Sequence, residues 1–250
     1  VPYSASWLSN IENGNQPIRP DDLGRLLDFY GVPEVCRLRG SLVHLAKRSR
    51  SKNWQQTQEG RFSPAADDLA SLETDAASIR TFSPDLVPGL AQIESYIRAV
   101  VATGLPSPTR DAEELVAFRL SRQPVLLKHN PPSFCTIIGQ AALLQRIGGP
   151  EVMREQLLRL SVLARMPNIE LRVLPLEAGA HLWVGQPFDL ISLKPPGELT
   201  VAVAYEVVRT AFIVDEGEVS VHEGVFNHLL RATLEASHSL ELIEQIASEL

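Results

Sequence analysis

In the first fifty residues, apolar positions recur at helical spacing between clear stop signals. Leu8 and Ile11 stand at i, i+3 behind Ser4, which can cap a helix running to Asn13, and Asn13-Gly14 supplies a left-handed stop. Beyond the linker at 17–20, Leu23, Leu26, Leu27 and Tyr30 form a second stripe. Pro20, Asp21 and Asp22 suit its first turn, and Gly31 ends it. Pro33 opens a third helix with Leu38, Leu42 and Leu45 on one side, closing in the basic run Lys47-Arg48-Ser49-Arg50. The spacing predicts a small all-helical unit over 1–50.

Residues 51–67 are polar and irregular apart from Trp54 and Phe62, which predicts a linker ahead of a second domain over 68–250. Helical spacing returns over 69–79, from Leu90 through Ile93, Ile97 and Val101 to the stop at Gly104, over 112–122, and through Met153, Leu157 and Leu160 before Pro167. Period two then takes over. Ile169, Leu171 and Val173 alternate with Glu170 and Arg172, and further strands are expected over 188–193, 201–208 and 211–214, with 134–138 as an additional one. Short connections between successive strands predict antiparallel pairing. Two helices close the chain, one through Val221, Val225 and Leu229, the other capped by Ser239 with Leu240, Ile243 and Ala247 inward. The predicted fold class is α+β: a small helical N-terminal unit, then a larger domain of helices packed on a mainly antiparallel sheet.

Composition narrows the functional classes. With 44% hydrophobic and 21% charged residues over 250 positions, the chain holds enough apolar material for packed cores, which excludes a disordered protein. No apolar run approaches a membrane span, and the start Val1-Pro2-Tyr3-Ser4 carries no secretion signal. Cys36 and Cys135 form no CxxC and no framework, so neither a disulfide scaffold nor a cysteine metal site is expected, and a reducing cytoplasm fits best. The net charge of −7 is unevenly spread. Residues 1–53 hold eight Lys/Arg (Arg19, Arg25, Arg37, Arg39, Lys47, Arg48, Arg50, Lys52) against five acids (Glu12, Asp21, Asp22, Asp28, Glu34), or +3, leaving 15 basic and 25 acidic residues, or −10, for the rest. A basic segment on an acidic body is the asymmetry expected where one small part approaches phosphates.

The segment 3–14 has the chemistry such a part needs. Small polar residues in the first turn of a short helix let backbone and hydroxyls come close to base edges in a major groove. Ser4, Ser6, Ser9 and Asn10 are the candidate groove-facing residues; Arg19 and the Lys47, Arg48 and Lys52 run are the candidate phosphate contacts. The same pattern also fits a capped helix in any small bundle.

SASWLSNIENG followed by RPDDLGRLLDFYGV resembles the second half of an Xre-family helix-turn-helix domain: recognition helix, glycine stop, then a helix ending in a Tyr-Gly-Val turn. The motifs SLETDAASIRTFSPDLVPGLAQIESYIRAVV, VAFRLSRQ, IGGPEVMREQLLRL, MPNIELRVLPLEAGAH and FNHLLRATLEASHSLELI resemble, in order, the large C-terminal domain of unknown function that follows such a unit in many actinomycete regulators. The resemblance implies a DNA-binding transcriptional regulator whose first two helices would precede Val1. It also implies a C-terminal domain that senses a small-molecule effector or binds a small partner protein, of the kind encoded beside such regulators. Paired half-sites imply a homodimer, with the terminal helices from Val221 to Leu250 as candidate interface.

Catalytic motifs are scarce: no GxSxG, HExxH, GxxxxGK[ST] or GxGxxG occurs, and no cofactor or metal ion is expected. His222 and His228, six apart, fall on separate faces of one helix. The chain departs from the family pattern at Ala91 and Ile93, at Gln140 where an acid is usual, at the adjacent pair Tyr205-Glu206, and at Asn10 where an arginine is common. Those departures support an alternative, a regulator-like scaffold recruited as an enzyme (hydrolase, dehydratase or cyclase) on a small secondary metabolite. His181 or Glu206 would then be the base, Tyr205 or Gln140 a hydrogen-bond donor, and Cys135 a poor nucleophile. His181, Trp183, Asp189, Tyr205 and Glu206 would converge on one side of the sheet, where they would otherwise form a partly buried polar rim.

Overall fold

The computed structural model describes residues 3–12, 16–34, 39–40, 42–43, 46, 64–103, 111–179, 186–194, 199–205 and 210–250. The chain folds as two compact units, one of 1–61 with 193–199, the other of 62–192 with 200–250.

In the first unit, α1 spans Ala5–Glu12 and α2 spans Pro20–Phe29. Ser4 caps α1 as expected, its Oγ accepting the Trp7 N–H at 3.1 Å. The α2 stop is a double hydrogen bond in which the Val32 N–H reaches Leu27 O at 2.9 Å and the Gly31 N–H reaches Asp28 O at 3.1 Å. Gly31 takes the left-handed φ of 72° which that closure requires. The Tyr30 hydroxyl donates to Glu12 Oε1 at 2.7 Å and the Tyr3 hydroxyl donates to Asp22, so two tyrosines bind α1 to α2. Residues 39–40, 42–43 and 46 are helical where the third helix was expected, and Arg39 ties them to α2 through Asp28 Oδ1 at 2.6 Å. Asn13, Gly14, Leu38 and Leu45 lie outside the described residues.

The second unit opens with α3 (Pro64–Asp75), which begins inside the stretch expected to be a linker and runs directly into β1 (Ala76–Ser83). β1 corrects the expected helix over 69–79. Leu69, Leu72, Ala76 and Ile79 hold helical spacing across the boundary, and only the sheet neighbours decide that the second half is extended. After a 3-10 turn at Gly89–Ala91 come α4 (Glu94–Thr103) and α5 (Ala112–Arg122). The helix read from Leu90 onward therefore starts only at Glu94. Buried Gln156 explains the interruption, accepting the Ile93 N–H at 2.8 Å and donating to Ala91 O at 2.9 Å. β2 (Ser133–Gly139), α6 (Gln140–Leu144), α7 (Pro150–Leu163) and β3 (Ile169–Leu174) follow. The chain then forms β4 (Phe188–Leu193), β5 (Thr200–Tyr205), β6 (Thr210–Ile213), α8 (Glu216–Ala232) and α9 (Ala236–Ser248).

The six strands form one sheet in the order β3-β2-β1-β4-β5-β6. The class is α+β, as the sequence predicts. The sheet is mixed rather than mainly antiparallel, because β1, β2 and β3 pair in parallel while β4, β5 and β6 pair antiparallel. Helix-bearing connections join the first three strands and connections of only a few residues the last three, and that difference sets the direction of each pair. On one face, Phe82, Ile137, Leu174, Phe188, Leu190 and Ala202 pack against Val219, Phe226 and Leu229 of α8. Val221 is 54% exposed, since Val219 and Phe226 take the buried side.

β3 lies at the sheet edge, and α9 covers it. The Val173 N–H donates to Ser239 Oγ at 2.9 Å, and the Leu234 N–H donates to Val173 O at 2.9 Å. Ser239 is therefore not the cap of α9, a position held by Glu235. It sits one turn inside the helix, fully buried, and satisfies a strand group that would otherwise be orphaned.

Candidate functional site

The first candidate surface is α1. Ser6, Ser9 and Asn10 are exposed on one side, with Ser4 exposed at the cap, while Trp7, Leu8 and Ile11 are half-buried on the other. A helix of 3.6 residues per turn separates these sets by about half a turn. The ring of Tyr3 stacks on Trp7 with centroids 4.0 Å apart, closing the start of the helix. Arg19 is exposed immediately before α2. Lys47, Arg48 and Lys52 lie outside the described residues.

The second candidate is a row of polar side chains across an otherwise apolar sheet face. Thr136 of β2 and Thr81 of β1 are register partners, so their side chains share a face. Asp189 on β4, the strand beside β1, takes a hydrogen bond from Thr81. Asp189 pairs with Val203, which places Tyr205 diagonally beside it on the same face, and the Tyr205 hydroxyl donates to Asp189 Oδ2. Thr136 and Asp189 are buried, whereas Tyr205 is 37% exposed at the end of β5. Two helices bring charges to this row. Arg122 of α5 makes a two-pronged ion pair with Glu73 of α3, Nε to Oε2 at 2.8 Å and Nη2 to Oε1 at 2.6 Å, and its guanidinium lies 5.4 Å from the Phe118 ring centroid. Arg119 lies one turn earlier.

Loss of solvent pushes the Asp189 carboxyl up to about 6. The hydrogen bonds from Tyr205 and Thr81 pull it back, and the Glu73 carboxylate raises it further against the opposing pull of Arg122. The Tyr205 hydroxyl is pushed well above its ordinary value by burial and by the Asp189 charge. A carboxyl that exchanges its proton near pH 6 beside a neutral phenol can accept or release a proton at the sheet surface.

These shifts have a consequence for stability. Because the Asp189 value in the folded chain lies above its ordinary 3.8, the folded state holds that proton more tightly than the unfolded one. The resulting stabilisation is complete below about pH 4 and is lost as pH rises through about 6. Asp189→Asn is expected to remove this dependence, so that the variant gains on wild type between pH 4.5 and pH 7.5. Urea midpoints measured for both across that range check it, and parallel profiles would refute it.

The other residues singled out in the sequence are dispersed. Gln140 opens α6 and its Oε1 accepts the Leu176 N–H at 2.9 Å, fastening a loop. His181, Trp183 and Glu206 lie outside the described residues, so of the expected convergence the structure describes the Asp189–Tyr205 contact alone. Burial pushes the Cys135 thiol up to about 11, far from a thiolate at neutral pH. His222 is half-buried edge-on to Phe188 at 5.5 Å between ring centroids, and His228 is exposed. Sequence reading missed Glu73, Thr81, Arg119 and Arg122. The i, i+3 spacing of the two arginines was a signal available in VAFRLSRQ, whereas nothing local links Glu73 to them. Among the described residues, no helix is long and apolar enough to cross a membrane.

Two family models match the chain: a helix-turn-helix domain over residues 1–39, and Domain of unknown function (DUF5753) over residues 66–245. The chain belongs to the DUF5753 family and carries a helix-turn-helix domain at its N-terminal end. Neither a curated protein nor a solved structure matches it.

Proposed function

We propose that this protein is a transcriptional regulator that reads an operator with α1 and binds a small-molecule effector or a small partner protein with its DUF5753 domain. The observation that carries the reading is α1 itself, matched as part of a helix-turn-helix and capped by Ser4, with Ser6, Ser9 and Asn10 exposed opposite its half-buried side. In this reading those four residues face base edges, while Arg19 with Lys47, Arg48 and Lys52 contacts phosphates and fixes register. The stretch ahead of α3, 51–63, connects the reading unit to the body, and the protein acts in the cytoplasm. One short helix discriminates few base pairs, so the regulator works as a homodimer on paired half-sites. Val221, exposed on α8, supports an interface at the terminal helices.

The test is binding of the full-length protein to its own promoter fragment. Affinity is expected to fall steeply between 50 and 200 mM salt, by about tenfold or more. Asn10→Ala is expected to relax base preference at one position by about 1–3 kcal/mol without unfolding the chain. Absence of a complex with any promoter fragment at low salt would overturn the proposal.

A further inference from the structure

Helix α7 turns toward solvent a stripe in which charge follows a fixed order. Its opposite side, with Met153, Leu157, Leu160 and Leu163, is buried. Glu151, Glu155, Leu158, Val162 and Arg165 follow one another at steps of four, three, four and three residues, and all of them are exposed. That alternation keeps side chains in one line along a helix, the geometry of a helix–helix seam. Arg165 stands just past the last turn, where its Nη1 donates to Ser161 O at 2.8 Å and continues the line. Leu158 is 43% exposed and Val162 52%, so two aliphatic side chains about one turn apart meet water in the middle of the stripe. Acids lie toward its start and a base at its end.

Scattered apolar residues on a surface are ordinary, and here the order of the charges is what points to an occupant. Let a second copy of the stripe lie antiparallel, with the two-fold axis midway between 158 and 162. Leu158 of each copy then meets Val162 of the other, and Glu155 of each meets Arg165 of the other. A parallel arrangement would set acid on acid and base on base. Beside Glu155 the surface opens into a hollow lined by Ile93, Glu94, Ser95 and Arg98. Arg98 is taken up by Glu94 and Glu113, so the hollow presents Glu155 to an incoming Arg165. Two aliphatic side chains per copy are only the centre of the roughly 1,200–2,000 Å² that a stable interface buries. The rim comes from α4 and α9, which both pack on α7, and Glu244 of α9 already pairs with Arg165.

We infer that the exposed stripe of α7 is a homodimer seam, two copies packing antiparallel with Leu158 and Val162 at the centre and a Glu155–Arg165 pair at each end. Exposed ion pairs add little affinity, so the apolar centre holds the copies together while the charged ends fix direction and register. This deepens the homodimer reading, on which it rests, and centres the contact on α7 and its neighbour α9 rather than on α8 at Val221.

The experiment is size-exclusion chromatography with light scattering on the full-length protein without DNA, over a dilution series in the micromolar range. Wild type is expected to be a dimer. Leu158→Asp should raise the dissociation constant by about tenfold or more, because it places a charge in the apolar centre, whereas Val221→Asp should leave the constant unchanged. Glu155→Arg and Arg165→Glu, each alone, set like charges opposite one another at both ends and should weaken the dimer by about tenfold. An equimolar mixture of those two variants re-forms an acid–base pair at each end and should recover the wild-type constant. A purely structural role within one chain would give no such recovery. A dimer unmoved by Leu158→Asp, one broken by Val221→Asp, or a mixture that does not recover would overturn the seam and leave the homodimer reading standing. A wild type that is monomeric without DNA would overturn the seam as well, and one that also binds its promoter as a monomer would remove the homodimer reading with it.

Discussion

Glu73→Ala is expected to destabilise the protein by about 3–5 kcal/mol, visible as a large fall in urea midpoint. The Glu73 side chain is 4% exposed and that of Arg122 13%, with both carboxylate oxygens engaged by one guanidinium. Removing the carboxylate leaves a buried cation with no direct ion-pair partner, and that loss, more than the attraction itself, sets the size of the effect. The same reasoning fixes a rescue. Glu73→Leu combined with Arg122→Met replaces two desolvated charges by apolar groups and is expected to recover most of the loss. A second consequence reaches the polar row. In Glu73→Ala the repulsion that raises the Asp189 carboxyl is gone and Arg122 is released to act on it, so that carboxyl should titrate below its wild-type value of about 6. Carboxyl carbon shifts followed by NMR across pH 4 to 8 read this directly. A loss under about 1 kcal/mol in the single variant would refute the account of the pair.

Gly139→Ala is expected to be as severe, at the upper end of the roughly 1–3 kcal/mol that overpacking costs or beyond it. A Cβ at this position would stand 2.2 Å from Pro84 O, 3.0 Å from Pro84 C and 3.1 Å from Pro84 Cα. All three atoms are backbone, so no side-chain rotation relieves the contact. The cause is spacing rather than torsion. Gly139 has an ordinary extended conformation (φ −64°, ψ 138°), and Pro84 follows β1 where Gly139 closes β2, one step beyond the paired residues Ser83 and Ile138. Relief would require β1 and β2 to part at the end where α6 begins. Equilibrium urea unfolding of the alanine variant measures the loss, and a midpoint within error of wild type would contradict this geometry.

The amphipathic stripes, the Ser4 cap and the Gly31 stop were legible in the sequence because each is decided within one turn of helix. So were the helix over Ala112–Arg122 and the strands β2 to β6, whose alternation or apolar run is bounded by turn residues. What a neighbour supplies from far along the chain was not. Ala76–Ser83 carries no clear two-residue period, since both faces of β1 are covered, and its backbone is satisfied only by β2 and β4. Ser239 has the composition of a cap, yet its hydroxyl is claimed by the edge of β3, a strand some sixty residues earlier. The polar row had two visible members, Asp189 and Tyr205, expected on the same side of the sheet. Thr81, Glu73 and the two arginines join it only because parallel pairing and helix packing bring α3, α5 and four strands to one place. Local hydrogen bonding and burial period are written residue by residue. The partner of a buried charge is chosen by the tertiary structure, because the cost of burying it is settled by whichever group the fold sets beside it.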